Sequence, residues 1–266
     1  VERDETDIIL EIPKGFEKEQ VNGRQASVFI AANAVNGSKG ILGNSYLQQI
    51  LSSPKSAYSL RYLFNPTLDY KVFMVPALMT MILVLLCGFL PALNVVSEKE
   101  SGTIEQINVT PVSRLTFTLA KLLPYWIIGF IVLNLCMFFA WLVYGQIPEG
   151  SVGTIYLATF VFILLVSGFG LVISNHSATM QQAMFVMWFC MLVFILMSGL
   201  FTPINSMPQW AQLITRINPL RYFMEIMRMV YLKGSAFRDI LPQMGMLAVF
   251  AILFNTWAVF SYKKQK

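Results

Sequence analysis

The chain has 266 residues, of which 56% are hydrophobic and only 12% are charged, and its mean hydropathy is +0.62. Soluble domains carry about 25% charged residues, so this composition excludes an ordinary soluble domain and indicates an integral membrane protein. The net charge of +5 is modest, and most basic residues flank apolar runs instead of forming one basic face, which argues against nucleic-acid binding.

The first 70 residues are polar and carry the signals of a small folded domain. The run "ASVFIAA" at 26–32 has the alternation of a β-strand, and a Gly-rich turn then leads into a predicted helix from about Asn44. Residues 1–70 are therefore predicted to be part of a small α/β domain outside the bilayer. Because the chain starts at Val1, with neither a methionine nor a signal peptide, we expect the natural protein to extend further at its N-terminus.

Residues 71–266 are predicted to form an all-α bundle of five transmembrane helices. Each of five apolar runs is close to the roughly 20 residues that a helix needs to cross the hydrocarbon core. None of these runs has a charge in its central turns. The predicted spans are 72–96, 117–144, 154–174, 182–201 and 241–262.

Several residues inside the spans are unusual for helices. Pro76, Pro91 and Pro124 each remove a backbone hydrogen bond, which neighbouring helices can compensate. The small residues of "SGFG" at 167–170 are suited to close helix approach. Packing and a substrate path are both open interpretations of these positions.

The sequence predicts no metal site and no catalytic residue. Cys87, Cys136 and Cys190 lie inside apolar runs without a partner at metal-ligand spacing. His176 is the only histidine, and a lone histidine makes neither a metal site nor a triad.

Charge counting does not settle the topology. The tail "SYKKQK" favours a cytoplasmic C-terminus. With five spans and a cytoplasmic C-terminus, the basic segment 202–239 lies outside, against the positive-inside rule. The number of basic residues therefore slightly favours the inverted topology, in which the C-terminus is outside.

A charged loop, "SEKESGTIEQINVTPVSR" at 97–114, separates the first two spans. Thr103 and Gln106 have the spacing of a capping box. Glu105 falls in the first turn after this cap, where the helix dipole favours an anion. The loop is thus predicted to begin with a short helix.

Thr110-Pro111 predicts a break in this helix and the start of a second one, which runs into the next span. Two interpretations follow from these patterns. The loop is either a solvated surface loop or a short rigid helix that docks on a cytosolic partner and passes on its movement.

The segment 203–233 is too polar to span a membrane and too apolar for a simple loop. Asn218 is predicted to cap a helix that starts at Pro219. Apolar residues follow at helical spacing, and a second face carries charges that can pair. The polar and proline residues that we single out in this segment are Pro203, Pro208, Asn218, Pro219, Arg221, Glu225 and Arg228. An interfacial or re-entrant helix is predicted, and it acts either as a surface anchor or as a gate.

The stretch "EKESGTIEQINVTP" resembles the E-x-G-T-x-E-x-x-x-x-T-P loop of ABC type-2 exporter permeases. Five further segments resemble parts of the same family, in the right order. These are "EIPKGFEKEQVNGRQASVFI", "RYLFNPTLDYKVFMVPALM", "SATMQQAMF", "SGLFTPINSMPQW" and "INPLRYFMEIMRMVYLKG". The resemblance covers nearly the whole chain and is to the drug-efflux-like subgroup with a large extracytoplasmic domain.

This resemblance implies a topology. Family members have six spans, with the extracytoplasmic domain inserted after the first. The five spans here would be the second to sixth, and the first span and the start of the domain would be missing. Residues 1–70 would be extracytoplasmic, the C-terminus cytoplasmic, and 203–233 a partly re-entrant external segment.

The resemblance also assigns the charged loop as the coupling helix that contacts an ATP-binding subunit. Two departures from the family pattern, Ser101 and Asn108, could alter that interface. The residues expected to couple to the ATPase subunit are Glu98, Glu100, Gly102, Thr103, Glu105, Thr110, Pro111 and Arg114.

The implied function is that of a permease subunit in the bacterial inner membrane, which exports a drug-like or lipid-like substrate by alternating access. The chain has no phosphate-binding GxxxxGK[ST] motif, so ATP and Mg²⁺ would be bound by the partner ATPase. A second permease chain, alike or different, would complete the pathway, and a periplasmic adaptor and membrane lipids are further expected partners.

Two other classes of protein fit the sequence less well. An intramembrane enzyme would need catalytic groups within the spans, but Asn134, Ser167, Ser198 and Asn255 have no intramembrane acid or base to activate them. A channel would need a ring of charges or a filter loop, and neither is evident.

Overall fold

The structure is a computed structural model that describes residues 8–16, 18, 22, 26–33, 42–43, 45–47, 49, 56–63, 70–103, 114–201, 204 and 207–261. Within this part, the N-terminal region contains a three-stranded sheet and the rest is helical.

The N-terminal sheet has the order β1 (Ile8–Glu11), β2 (Ala26–Asn33) and β3 (Ser56–Leu63). The strand β2 is antiparallel to β1 and parallel to β3. A parallel pair needs a crossover connection, and residues 45–47 within it are helical. The strand predicted at 26–32 is confirmed, because it coincides with β2.

A long helical rod follows the sheet. It consists of α1 (Tyr70–Val84), a π-helical turn (Leu85–Phe89) and α2 (Leu90–Glu100). The π-helical turn explains how the rod tolerates Pro91, which has no backbone N–H to donate. Leu90 donates its N–H to the carbonyl of Leu85, five residues back, and the helix continues.

The remaining helices form the rest of the bundle. The bounds are α3 (Arg114–Tyr144), α4 (Val152–His176), α5 (Met180–Leu196), α6 (Gln209–Thr215), α7 (Pro219–Tyr231), a 3₁₀ turn (Phe237–Ile240) and α8 (Leu241–Ser261). Among the described residues, four helices are long and apolar enough to cross a membrane, namely 71–100, 118–144, 152–176 and 237–261.

The fourth predicted span, 182–201, differs from the structure. The helix α5 has 17 residues and ends at Leu196, five residues before the predicted end of the span. The chain turns at Gly199, whose φ of +83° is left-handed and cannot continue a helix. The apolar run continues past this turn, so hydropathy alone extended the span too far.

The helix α4 is the central element of the bundle and packs against α1, α2, α3, α5, α7 and α8. Glycines permit the closest of these contacts. A Cβ at Gly168 would lie 2.8 Å from the side chain of Asn255 in α8, and a Cβ at Gly170 would lie 2.3 Å from the carbonyl oxygen of Gly88. The prediction of close helix approach at "SGFG" is confirmed.

Polar contacts define two ends of the bundle. At one end, Asn175 of α4 donates to Ser261 of α8, and the charged loop leaves α2. At the other end, Gln146 donates to the carbonyl of Val72 at the start of the rod. Gln243, at the start of α8, contacts α7 at this second end. The charged loop and α7 therefore lie at opposite ends.

Candidate functional site

The helix α2 ends in a capped turn at the base of the charged loop. Ser101 is the C-cap, and Gly102 follows with a left-handed φ of +73°. The N–H of Gly102 donates to the carbonyl of Lys99 at 3.2 Å, and the Thr103 hydroxyl donates to the carbonyl of Glu98 at 3.1 Å. A glycine at this position is the usual way to end a helix, so the chain leaves α2 in a defined direction.

The carboxylate of Glu98 forms an ion pair with Lys121 in α3. Both side chains are partly exposed, at 21% and 28%. The two helices that flank the charged loop are therefore joined to each other at its base.

Lys99 joins the base of the loop to α4. Its Nζ donates to the carbonyls of Ser174 at 2.5 Å, Asn175 at 3.2 Å and Ser177 at 3.4 Å. The last carbonyls of a helix have no partner within that helix, and the helix dipole makes them a favourable site for a cation. Lys99 thus caps a helix that lies far from it in the sequence.

Asn175 of α4 in turn contacts the end of α8. The amide of Asn175 donates to the carbonyl of Ala258 at 2.9 Å and to the hydroxyl of Ser261 at 2.8 Å. The end of α2 is therefore linked by side chains to α3 and α4, and through α4 to α8.

The predicted coupling residues have different environments. Glu98, Gly102 and Thr103 take part in the capped turn and the ion pair, whereas the side chain of Glu100 is exposed. Arg114 is the first residue of α3. Glu105, Gln106, Thr110 and Pro111 lie outside the described residues, so the capping box and the break at Thr110-Pro111 stay predictions.

The sequence does not identify Lys99 as a separate site, because a lysine between Glu98 and Glu100 resembles an ordinary surface charge of the loop. The available signal was its position in the last turn of α2, where basic side chains often bind helix C-terminal carbonyls. The sequence could not show that those carbonyls belong to another helix.

The helix α7 at the other end of the bundle begins as predicted. The Asn218 side chain accepts from the N–H of Leu220 at 3.0 Å, and Pro219 follows it in the first turn. The same side chain donates to the carbonyl of Phe194 at 2.7 Å, at the end of α5. The predicted Asn218 cap is thus confirmed, and it also holds α7 against α5.

The helix α7 is buried on most of its surface. The ring of Phe223 stacks on Phe162 of α4, with centroids 3.9 Å apart and planes 2° from parallel. The buried residues of α7 are Pro219, Leu220, Phe223, Met224, Ile226, Met227, Met229, Val230 and Tyr231. Burial therefore extends beyond the apolar positions that helical spacing predicts, because α7 packs into the bundle.

The polar face of α7 contacts three different parts of the bundle, through Arg221, Glu225 and Arg228. Arg221 donates to the hydroxyl of Thr215, the last residue of the short helix α6, which begins directly after Pro208. Glu225 accepts from the amide of Gln243 at 2.9 Å.

Arg228 makes two contacts that hold α7 in place. It donates to the carbonyl of Gly199 at 3.0 Å, and its guanidinium carbon lies 3.9 Å from the centre of the Phe73 ring. Pro203, the remaining residue singled out in this segment, lies outside the described residues.

The end of α7 is capped by the connection between α3 and α4. The N–H groups of Glu149 and Gly150 donate to the carbonyls of Tyr231 and Val230, at 3.1 and 3.0 Å. Burial raises the pKa of the Tyr231 hydroxyl to about 12, and this hydroxyl donates to the carbonyl of Gln146 at 3.4 Å. A gate formed by α7 would have to break contacts at both of its ends.

Long apolar helices, a charged turn that is tied to α3 and α4, and a buried helix with a polar face together indicate a polytopic membrane protein. Comparison with known proteins agrees with this class. Residues 1–260 match the family described as "ABC-2 family transporter protein".

The chain belongs to the ABC-2 family of transporter proteins, so its identification as a permease is confirmed. It is 31% identical over 242 residues to the "Probable multidrug ABC transporter permease YbhR" of Escherichia coli K12, an alignment that covers 86% of this chain and 66% of YbhR. It is 31% identical over 176 residues to the corresponding YbhS permease, with 66% of this chain and 47% of YbhS covered.

A third relative is the "Inner membrane transport permease YhhJ" of E. coli K12, 25% identical over 277 residues. That alignment covers 96% of this chain and 72% of YhhJ. The chain thus spans just under two thirds of YbhR and about half of YbhS.

Proposed function

We propose that this chain is the membrane-spanning permease subunit of an ABC exporter, and that the charged loop 97–114 couples it to a separate ATP-binding subunit. The observation that carries the proposal is the base of this loop. Glu98 is paired with α3, and Lys99 is bound to the end of α4, from which Asn175 reaches α8. A loop that only reversed the chain direction would not need direct contacts with two other helices and a link through one of them to a third.

In this proposal, the ATPase subunit binds ATP and Mg²⁺ and supplies the energy, whereas the permease supplies the pathway. Closure of the ATPase subunits displaces the charged loops, and the helices switch the cavity from inward to outward access. The pathway is completed by a second permease chain. Similarity to both YbhR and YbhS, two permeases of one organism, is compatible with a like or an unlike partner.

The proposed substrate is drug-like or lipid-like, and the proposed location is the bacterial inner membrane. Support comes from YbhR and YbhS, whose names describe probable multidrug permeases, and from YhhJ, which is named for the inner membrane. A periplasmic adaptor is proposed as a further partner on the family resemblance alone.

The proposed topology has all five apolar helices, α5 included, crossing the membrane. The charged loop and the tail face the cytoplasm, whereas residues 1–70 and the segment 203–233 face outward. The separation of the charged loop and α7 at opposite ends of the bundle supports this arrangement.

Cysteine labelling tests the topology. In a chain whose native cysteines are replaced by alanine, we expect Ser113→Cys to react with a membrane-impermeant maleimide only from the cytoplasmic side. Gln209→Cys, at an exposed position, should react only from outside. Labelling of both cysteines from the same side would refute the proposed arrangement.

Reversal of one loop charge tests the coupling role. We expect Glu105→Arg to abolish co-purification of the ATPase subunit and ethidium efflux, because a cation replaces an anion at the proposed interface. The matched control is Glu149→Arg, which makes the same change at an exposed position at the other end of the bundle and should have little effect. If Glu105→Arg leaves binding and efflux intact, the loop is not the coupling element.

A further inference from the structure

The contact between Lys99 and α4 differs from the other contacts at the base of the charged loop. It joins the last turn of α2 to residues 75 to 78 positions further along the chain. One ammonium group binds three carbonyls at the end of a single helix, which is a directional contact and not general packing. Lys99 is therefore placed to set the position of α2 along α4.

The rest of the seam between α2 and α4 is apolar. Val95 packs with Leu171 and Val172, and Ala92 packs with Ile173. Within a membrane, lipid chains are as apolar as these side chains, so no hydrophobic driving force holds such a seam together. The directional contact at its end therefore adds resistance to sliding to what van der Waals packing provides.

The α4 end of the contact is itself tied to α8. Asn175, whose carbonyl accepts from Lys99, also donates through its side chain to Ala258 and Ser261. Asn175 thus contacts both Lys99 of α2 and the end of α8, the last helix. The three helix ends are joined in the order α2, α4, α8.

We propose that Lys99 is a positioning residue that makes α4, and through Asn175 also α8, move together with α2 when the ATPase subunit displaces the charged loop. The proposal rests on the coupling function proposed above and adds the route by which displacement of the loop reaches the bundle. Lys99 does not contact the substrate in this proposal, and it is not needed for binding of the ATPase subunit.

The test uses the complete transporter, with its ATPase subunits, in lipid vesicles. Spin labels are attached at Leu90→Cys in α2 and at Ala178→Cys just after α4, where both native side chains are exposed. The native cysteines are replaced by alanine. The distance between the labels is measured without nucleotide and after trapping with ATP and vanadate.

With Lys99 present, we expect the distance between the labels to be the same with and without trapping, because α2 and α4 move together. In Lys99→Met, we expect trapping to change it by about 2 Å, a typical helix shift. Lys99→Arg, which keeps a cationic donor, should restore the constant distance. Lys14→Met makes the same change at an exposed position in the N-terminal region and should behave as the parent chain.

An unchanged label distance in trapped Lys99→Met would overturn the proposal, as would loss of ATPase-subunit binding in that variant, which would make Lys99 part of the docking surface. If Lys99→Met does not fold, Asn175→Ala takes its place, with labels at Leu90→Cys and at Phe260→Cys of α8. The distance between them should then change on trapping, and a constant distance would contradict the link. Failure of the coupling function is recognised separately, because Glu105→Arg would then still bind the ATPase subunit and support efflux.

Discussion

Gly170→Ala is expected to lower the free energy of unfolding by about 1–3 kcal/mol, the usual effect of overpacking a close contact. The added Cβ would lie 2.3 Å from the carbonyl oxygen of Gly88 and 3.4 Å from the Cβ of Ala92. The carbonyl belongs to the π-helical turn, so relief requires a backbone movement and not a side-chain rotation. The expected readout is a lower midpoint of thermal unfolding for the purified permease in detergent.

Gly245→Ala in α8 is the matched control. No atom lies within 4 Å of the Cβ that would be added there, and the position is exposed. Alanine favours a helix over glycine by about 1 kcal/mol, so this variant should be unchanged or more stable. Equal destabilisation by the two substitutions would show that the contact between Gly170 and Gly88 is not tight.

Phe223→Ala is expected to destabilise the bundle by about 3 kcal/mol, near the lower end of the range for buried aromatic residues. Phe223 and its stacking partner Phe162 are both fully buried. In a membrane the transfer part of this cost is smaller than in water, but the cavity and the lost van der Waals contacts remain. The substitution should also loosen α7 from α4, which faster hydrogen exchange of the α7 amides would reveal.

Phe260→Ala provides the comparison for this prediction. The Phe260 side chain is 79% exposed, so its removal leaves no cavity, and we expect a change within about 0.5 kcal/mol. If both alanine variants shift the thermal midpoint equally, stacking on α4 does not hold α7. If only Phe223→Ala does so, the buried position of α7 is supported.

Local patterns predicted those features that depend on neighbouring residues. The Asn218 cap was predictable because the cap and the N–H that it binds lie two residues apart. The tolerance of Pro91 was only partly predictable, since compensation by neighbouring helices was expected and a π-helical turn within the same rod was found. The early end of α5 depends on one left-handed glycine inside an apolar run, which hydropathy does not detect.

The charged loop shows how far the site could be predicted. Glu98, Gly102 and Thr103 were identified from the resemblance of the loop to the family pattern, and their contacts at the end of α2 are mostly local. The three partners of Lys99 could not be found in this way, because lysines at equivalent positions near helix ends also occur as solvated surface charges. Which helix lies within reach is decided by packing across the whole bundle.

The sequence by itself determined that the chain is a membrane bundle of the ABC-2 family with a polar N-terminal region. Long apolar runs must leave water whatever their neighbours are, so composition and hydropathy suffice for the membrane bundle. The family rests instead on the resemblance of the charged loop and five other segments to known permeases. Only the tertiary structure decided that α4 is central, that α7 is buried on most sides, and that Lys99 is bound to α4. These features depend on contacts between residues up to 91 positions apart, and such contacts leave no local pattern in the chain.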